Sequence, residues 1–491
     1  METKFKDLNN IGKLMILIGL LITVPIIVIP FYPSDFQYIN AFLFPAGVSI
    51  VLGWIIGYVF RRSNDEIKFQ YTSTDGSLTV LFAWFYGFLI GAVPFVLSGQ
   101  LAVLQGLYES VSGWTTTGLS VMDVTVTPSI FLFFRSFMQF CGGVGFILMM
   151  IMIIQGKDSM SLYNAEGHPD RLMPNIKKTA QVIFNMYSVF LVIGTSVYIL
   201  LGMPVLDSLL HTMSALSTGG FSTEPDSIGA YQSASIEAFT ILLMIIGTTN
   251  FAVLLLLTKR KFSQIIKVSE LRFFSILLLI FIPVITVSLS YNLYMGMGES
   301  FRHSLFNVIS ALSTSGFSTM GYEAWPAASI GIMIILMSIG GGLGSTAGGI
   351  KLTRVYLMIR VLGFNIHKRV SSQRRINSSY YNSAQGKRVI DQDLISDTVG
   401  FIAFYLMILL TGGLLITWTS GATLTQSMFE FASSLGTVGL SIGLTGPDTD
   451  GGTLIVQMFG MILGRLEIFI ILIGLYSGAS RIKYKLSEAL Q

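Results

Sequence analysis

Ser214-Ala-Leu-Ser-Thr-Gly-Gly-Phe-Ser-Thr223 returns later in the chain as Ser310-Ala-Leu-Ser-Thr-Ser-Gly-Phe-Ser-Thr319, with nine of ten residues identical. A weaker copy, Ser112-Gly-Trp-Thr-Thr-Thr-Gly-Leu-Ser120, precedes this pair, and another, Ser433-Ser-Leu-Gly-Thr-Val-Gly-Leu-Ser441, follows it. Each copy has a Ser, a Thr four residues later, a Gly two residues after that, and a closing Ser. The shared glycines are 102, 96 and 123 residues apart. The chain therefore contains a fourfold internal repeat.

Composition indicates an integral membrane protein. Hydrophobic residues make up 52% and charged residues 11% of the 491 residues, whereas soluble domains carry roughly 25% charged residues. Many apolar runs reach the roughly 20 residues that cross a bilayer as a helix. With one cysteine, Cys141, and four scattered histidines, no disulfide and no metalloenzyme site is expected. An intramembrane enzyme would need paired carboxylates or a His/Asp or Ser/Lys constellation at membrane depth, and the sequence offers none.

The basic residues indicate which side of the membrane each loop faces. No Lys or Arg lies between Lys178 and Lys259, and only Arg302 lies between Arg272 and Lys351. By the positive-inside rule the basic clusters and both termini are cytoplasmic, so the four repeats face outward.

Acidic residues closely follow the repeats on this outer side. They would raise the local cation concentration, or they are ordinary solvated loop acids. These residues are Asp123, Glu224, Asp226, Glu323, Asp448 and Asp450.

Apolar segments predict an all-α polytopic membrane protein of four pseudosymmetric helix–pore-loop–helix units around one central pore, plus two extra N-terminal transmembrane helices. In each unit a long helix leads outward, an apolar segment of about a dozen residues follows, then the repeat, then a returning helix. A dozen residues cannot span a membrane, so this segment enters and leaves on the same side. The predicted divisions are 1–68 for the N-terminal helices and 69–170, 171–265, 266–390 and 391–491 for the units.

The repeats themselves are candidates for a cation site. Non-helical backbone at membrane depth requires surrounding protein or a water-filled cavity. Four equivalent segments around one axis satisfy this requirement together, and their carbonyl oxygens could replace the hydration shell of a cation. Close helix packing through small residues is the alternative. We call these four the glycine segments, and their residues are Thr116, Thr117, Gly118, Thr218, Gly219, Gly220, Thr314, Ser315, Gly316, Thr437, Val438 and Gly439.

A second candidate is a glycine-rich loop at 340–349, where six of ten residues are Gly. Glycine inside a helix costs roughly 1 kcal/mol relative to Ala, so a break in the third returning helix is expected near mid-membrane. Arg465 lies near the middle of the last apolar run, where a charge usually faces a cavity or a partner. It would act as an electrostatic barrier, pair with a carboxylate, or bond backbone carbonyls. Arg135 is interpreted as structural.

With these features the chain resembles the Trk/Ktr/HKT superfamily of potassium transport proteins, and within it the Trk-type subunit. The resemblance rests on the four glycine segments, the glycine-rich loop, Arg465 and the two N-terminal helices, and it covers nearly the whole chain. It implies potassium selectivity, since Gly118 keeps the first filter glycine. It also implies that the loop is an intramembrane gate together with Arg465. The gate residues would be Gly340, Gly341, Gly342, Gly344, Ser345, Thr346, Gly348 and Gly349.

The resemblance also sets expectations for partners. It implies a homodimer with one pore per protomer, located in the bacterial inner membrane, and a separate cytoplasmic ring of nucleotide-binding regulatory subunits. This chain has no Rossmann-like unit, and its loop lacks the Gly-Lys-Ser/Thr ending of a phosphate loop. We therefore expect K⁺ as the transported ion, with no organic cofactor and no nucleic acid bound by this chain.

Two modes of transport remain open from the residues. A channel-like pore could be driven by the membrane potential alone, which is worth roughly 2.3 kcal/mol per charge per 100 mV. A symporter coupling K⁺ to H⁺ or Na⁺ is the alternative. The candidate carboxylates for coupling are Glu467 and, with a weaker case, Glu109 and Glu430.

Overall fold

The computed structural model describes residues 8–59, 73–144, 176–370 and 380–466, with 468, 471, 472 and 474. Glu467 therefore lies outside the described residues. The first helices are α1 (Asn10–Thr23), α2 (Ile39–Val59), α3 (Ser73–Leu97), α4 (Val103–Trp114), α5 (Ser129–Val144), α6 (Ile176–Leu200), α7 (Val205–Leu216), α8 (Ala234–Thr248) and α9 (Phe251–Thr258). Then follow α10 (Phe262–Ile265), α11 (Ser269–Asn292), α12 (Met297–Ser313), α13 (Ala327–Ile339), α14 (Leu352–Val370), β1 (Tyr380–Ser383), β2 (Gly386–Val389), α15 (Gln392–Ser420), α16 (Leu424–Leu435) and α17 (Gly451–Arg465).

The predicted fold class is confirmed. In the described part of the chain, six helices are long and apolar enough to cross a membrane, or seven if α8 and α9 are counted as one bent span. The order of a long helix, a short helix and a returning helix occurs four times. The short helices α4, α7, α12 and α16 have 12, 12, 17 and 12 residues, and none of them is among the helices that are long and apolar enough to cross a membrane.

The units close into a ring through helix packing. Each returning helix packs against the short helix of its own unit and also against that of the next unit. The second set of contacts pairs α5 with α7, α8 with α12, α13 with α16, and α17 with α4. Since the last pair joins the fourth unit to the first, the four short helices surround a common axis.

The N-terminal helices form a tight hairpin on the outside of this ring. Helix α1 packs along α2, and both contact α3. A Cβ on Gly12 would meet the carbonyl oxygen of Gly53, so the two backbones lie in direct contact. Small residues permit this approach between membrane helices.

Among the described residues, the returning helices of the second and third units are broken, and only the break in the third unit was expected. In the second unit, α8 and α9 meet at 112°, where Asn250 caps α9 by accepting a hydrogen bond from the N–H of Ala252. In the third unit, α13 ends at Ile339 and α14 starts at Leu352, so the predicted break is present. The β1–β2 hairpin, which lies between α14 and α15, was not predicted.

Candidate functional site

The same backbone turn ends all four short helices. The residue before each shared glycine donates its N–H to the carbonyl of the shared serine, at 2.8 to 3.0 Å. The shared threonine donates its N–H to the carbonyl three residues earlier, at 3.1 or 3.2 Å. These two bonds form a Schellman motif, which needs a left-handed residue after the helix. That residue is the shared threonine in every unit, with φ of 57°, 51°, 55° and 48° for Thr116, Thr218, Thr314 and Thr437.

This turn explains the spacing of the repeat. The shared serine supplies the carbonyl, and in three units its hydroxyl also holds the chain beyond the turn. Ser112 accepts from the N–H of Gly118 at 3.1 Å, Ser433 accepts from the N–H of Gly439 at 3.0 Å, and Ser310 donates to the carbonyl of Phe317 at 2.6 Å. A left-handed residue other than Gly costs roughly 1–2 kcal/mol, and such strain clusters at functional sites.

The four glycine segments touch one another in a closed ring. Every shared glycine has positive φ, between 74° and 97°. A Cβ added to any of them would meet the carbonyl oxygen of the residue before the shared glycine in the next unit. These contacts join Gly118 to Gly219, Gly220 to Ser315, Gly316 to Val438, and Gly439 to Thr117. The sequence therefore requires glycine here for two independent reasons, backbone conformation and the approach of a neighbouring segment.

The threonine hydroxyls meet the glycine-rich loop at one end of this ring. Thr218 donates its hydroxyl to that of Thr346 at 3.1 Å, and Thr314 accepts a hydrogen bond from the N–H of Gly348 at 2.9 Å. A Cβ on Gly348 would also meet the hydroxyl of Thr437. The loop thus contacts three of the four glycine segments and covers that end of the ring.

Arg465 fixes the loop in this position. Its guanidinium donates to the carbonyl of Thr346 at 2.8 Å and to the carbonyl of Gly142 on α5. Arg465 therefore joins the loop of the third unit to the returning helices of the fourth and first units. The sequence left three roles open for Arg465, and these two contacts correspond to one of them, hydrogen bonding to backbone carbonyls.

The opposite side of the loop rests on the bend between α8 and α9. Asn250 donates its amide to the carbonyl of Leu343, and the N–H of Phe251 donates to the carbonyl of Gly344 at 3.1 Å. Glu270 accepts from the N–H of Leu343 at 2.9 Å. These contacts explain the bend, since a continuous helix would leave the loop carbonyls without these donors.

The structure places four residues equivalently that the sequence analysis did not connect, although it named two of them, Glu109 and Glu430, as candidates for coupling. Each lies on a short helix, nine residues before the shared glycine, and bonds a hydroxyl just beyond it. The bonds are Ser120 to Glu109 at 3.0 Å, His211 with Ser222 at 3.0 Å, Asn307 to Thr319 at 3.1 Å, and Ser441 to Glu430 at 2.5 Å. The constant spacing of nine residues was the signal in the sequence. It was missed because the four positions hold three different residue types. We call Glu109, His211, Asn307 and Glu430 the bracing residues.

Glu109 forms a buried ion pair with Arg135. Their side chains are 0% and 2% exposed, and Arg135 Nε lies 2.5 Å from Glu109 Oε1. Arg135 also donates to the hydroxyl of Ser120 at 2.8 Å and stacks 4.2 Å from the centre of the Phe221 ring. The geometry agrees with a structural interpretation of Arg135, since its charge is neutralised inside the protein.

We expect Arg135→Met to lower the free energy of unfolding by about 3–5 kcal/mol, because it leaves the Glu109 carboxylate buried without its partner. Thermal unfolding of the detergent-solubilised protein would measure this loss. The double variant with Glu109→Gln removes both charges and should be more stable than the single variant. Equal stability of the two variants would show that the pair carries no net charge interaction.

At the end of the ring away from the loop, the glycine segments open into a cavity of about 720 Å³. Gly118, Gly220, Gly316 and Gly439 form its floor. The acids that line its wall are Asp123, Glu224, Asp226 and Glu323. We call this cavity the vestibule.

The other two acids of the predicted outer patch do not line the vestibule. Asp448 is not among the described lining residues, and Asp450 instead caps α17 by accepting from the N–H of Thr453 at 2.9 Å. Within the vestibule, hydrogen bonds from the hydroxyl and N–H of Thr125 lower the pKa of Asp123. Asp123 therefore stays ionised to a lower pH than an ordinary aspartate.

Comparison with known proteins gives consistent matches along nearly the whole chain. A family model described as TrkH, cation transport protein, matches residues 49–476. The Trk system potassium uptake protein TrkG of Escherichia coli (strain K12) is 29% identical over 489 residues, covering 95% of this chain and 96% of that protein. The Trk system potassium uptake protein TrkH of Halomonas elongata is 27% identical over 483 residues, covering 95% of this chain and 97% of that protein.

A solved structure shares the fold. The crystal structure of the potassium transporter TrkH from Vibrio parahaemolyticus aligns with a TM-score of 0.82 and 25% identity, covering 96% of this chain and 98% of that one. The resemblance inferred from the glycine segments is thereby confirmed. Because the family model spans residues 49–476 and the helix arrangement agrees, this chain belongs to the TrkH family of cation transport proteins, and it is a transporter rather than an enzyme.

Proposed function

We propose that this protein takes up K⁺ across the inner membrane through the ring of glycine segments, which acts as a selectivity filter. The closed contact of four equivalent segments carries the proposal, because such a ring brings backbone oxygens of all four units close together. Carbonyl oxygens in this arrangement replace the hydration shell of a cation. The relatives named as potassium uptake proteins support K⁺ as the ion.

The threonines at the loop end support the same proposal. The hydroxyls of Thr116 and Thr437 are buried and have no hydrogen-bond partner among the described residues. Buried polar groups are normally satisfied, and a bound cation would satisfy these two oxygens. The short helices also end here, so their negative dipole ends favour a cation.

We propose further that the glycine-rich loop is the gate. It contacts three glycine segments, Arg465 holds it, and the guanidinium places a positive charge beside the proposed ion path. The contact of the loop with Glu270 offers a route for control from the cytoplasm, because the neighbouring Ser269 hydroxyl accepts a hydrogen bond from the N–H of Asn382 on β1 at 3.0 Å. A cytoplasmic ring of nucleotide-binding subunits acting on a homodimer would exert its control there.

Ion flux into liposomes tests the proposal. The purified chain is reconstituted, a potential is imposed, and K⁺ and Na⁺ entry are compared across a range of pH gradients. We expect K⁺ entry to follow its electrochemical gradient at every pH. Uphill K⁺ movement driven only by a proton or sodium gradient would instead establish coupled symport, and the absence of K⁺ flux with and without the partner would reject the function.

The vestibule acids should speed the capture of external cations. We expect Glu323→Gln with Glu224→Gln to lower K⁺ uptake about threefold at low ionic strength, because the vestibule loses negative potential. The difference should disappear near 1 M salt, where the Debye length is about 3 Å. Asp448→Asn removes an acid that does not line the vestibule and is the matched control. A salt-independent loss, or an equal loss in the control, would contradict the steering role.

A further inference from the structure

The side chain of Gln139 lies directly against the glycine segment of the neighbouring unit. Gln139 is on α5 in the first unit and is fully buried. Its amide group donates to the carbonyl of Gly219 at 2.6 Å, and its carbonyl oxygen accepts from the N–H of Phe221 at 3.2 Å. One carboxamide thus binds the backbone on both sides of Gly220, the shared glycine of the second unit.

Gln139 occupies the space that a side chain at position 219 would fill. The residues equivalent to Gly219 in the other units are Thr117, Ser315 and Val438, which all carry side chains. A Cβ on Gly219 would overlap the carboxamide of Gln139. The second glycine segment therefore lacks a side chain at position 219, where the neighbouring helix α5 places the polar side chain of Gln139.

The equivalent positions on the other returning helices are apolar. Three glycines on these helices, Gly142, Gly247 and Gly464, make the same contact: an added Cβ would meet a carbonyl oxygen at the end of the short helix in the same unit. They are therefore structurally equivalent. Three residues before each of them lie Gln139, Met244 and Met461. In the third unit, Met337 is likewise three residues before a glycine, Gly340, although a Cβ on Gly340 would meet the carbonyl oxygen of Gly348 in the loop instead. All three methionines are fully buried, so Gln139 is the polar exception and coincides with the missing side chain.

We propose that Gln139 is a positioning residue that sets the ion selectivity of the filter by fixing the backbone at 219–221. This inference rests on the proposed function of the glycine segments. The Gly219 carbonyl retains a second lone pair when Gln139 binds the first, so the contact orients this oxygen without consuming it. The same oxygen is the one that Gly118 approaches, and Gln139 thereby fixes the junction between the first two segments.

Removing the carboxamide should release this junction. Without Gln139, a buried carbonyl and a buried N–H lose their partners, and such groups rarely remain unpaired. The peptide planes at 219–221 are then free to turn toward other donors and acceptors. We expect Gln139→Met to lower the K⁺/Na⁺ flux ratio about tenfold, since the loss of even one of these two buried hydrogen bonds typically shifts an equilibrium by about that factor.

Two residues can be exchanged to give the second unit the pattern of the third. The sequences of the two repeats differ only at Gly219 and Ser315, and Met244 of the second unit is the equivalent of Gln139. The double variant Gln139→Met with Gly219→Ser therefore reproduces the pairing of methionine and serine found there. Each single variant should lose selectivity, the second because its side chain overlaps Gln139, and the double variant should recover most of it.

The experiment measures K⁺ and Na⁺ flux into liposomes for the wild type, both single variants, the double variant and Gln139→Glu. Protonated Glu, the form that full burial favours, can still donate to the Gly219 carbonyl and accept from the N–H of Phe221, so Gln139→Glu should keep the selectivity that Gln139→Met loses. Thermal unfolding identifies any variant that fails to fold. Recovery in the double variant supports the proposal. An unchanged ratio in Gln139→Met, or single losses that simply add in the double variant, would overturn it, whereas absent K⁺ flux in the wild type with and without the partner would reject the proposed function itself.

Discussion

Gly316→Ala should reduce K⁺ flux about 100-fold or more. Gly316 has φ of +74°, and its added Cβ would meet the carbonyl oxygen of Val438 in the next unit. The left-handed backbone alone carries strain of about 1–3 kcal/mol in a residue with a side chain. Displacement of the Val438 carbonyl adds to this cost and changes the proposed coordination directly. The measurement is potential-driven K⁺ entry into liposomes at matched protein content.

Gly331→Ala on α13 is the matched control for this prediction. Gly331 belongs to the same unit, lies within a helix, and has no atom within 4 Å of an added Cβ. Alanine there should leave flux unchanged and stabilise the helix slightly, because it reduces the entropy of the unfolded chain. If Gly316→Ala folds and conducts K⁺ like Gly331→Ala, the closed ring of glycine segments is not the ion path.

The features that the sequence predicted well are those encoded within short stretches. The short apolar segment before each repeat was predicted not to span the membrane, and a short helix occupies this place in every unit. The break after Ile339 follows from the local excess of glycine. These signals depend on neighbours in the chain, so they could be interpreted without knowing which elements meet.

Features that depend on distant contacts were missed or wrongly predicted. The returning helix of the second unit was expected to be a single helix, yet it bends between α8 and α9, where Asn250 and Phe251 bond the loop at Leu343 and Gly344. In the sequence, Gln139 has no feature that distinguishes it from other helix residues. Its role depends on contact with Gly219, which lies 80 positions away in the chain. The bracing residues were visible only as a spacing, since glutamate, histidine and asparagine share no chemical type.

Arg465→Gln should raise K⁺ flux through the chain alone about tenfold. The guanidinium holds the glycine-rich loop against the glycine segments through Thr346 and ties it to α5 through Gly142. A hydrogen bond from a charged donor is worth about 1.5–3 kcal/mol, and the shorter, neutral glutamine cannot make both contacts. In the proposed gate, the blocked arrangement therefore loses stability relative to the open one. Flux into liposomes without any partner measures the change, and thermal unfolding verifies the fold.

Arg465→Lys separates the two ways in which this residue could restrict ions. Lysine keeps the positive charge but lacks the planar fork that reaches two carbonyls at once. If the hold on the loop dominates, Arg465→Lys should conduct like Arg465→Gln, whereas a dominant electrostatic barrier would keep its flux near that of the wild type. Arg272→Gln, an exposed change at an arginine that bonds the carbonyl of Ile266, should have no effect. Unchanged or lower flux in a well-folded Arg465→Gln would mean that the loop does not close the path, because loss of the bonds and loss of the charge both predict more flux.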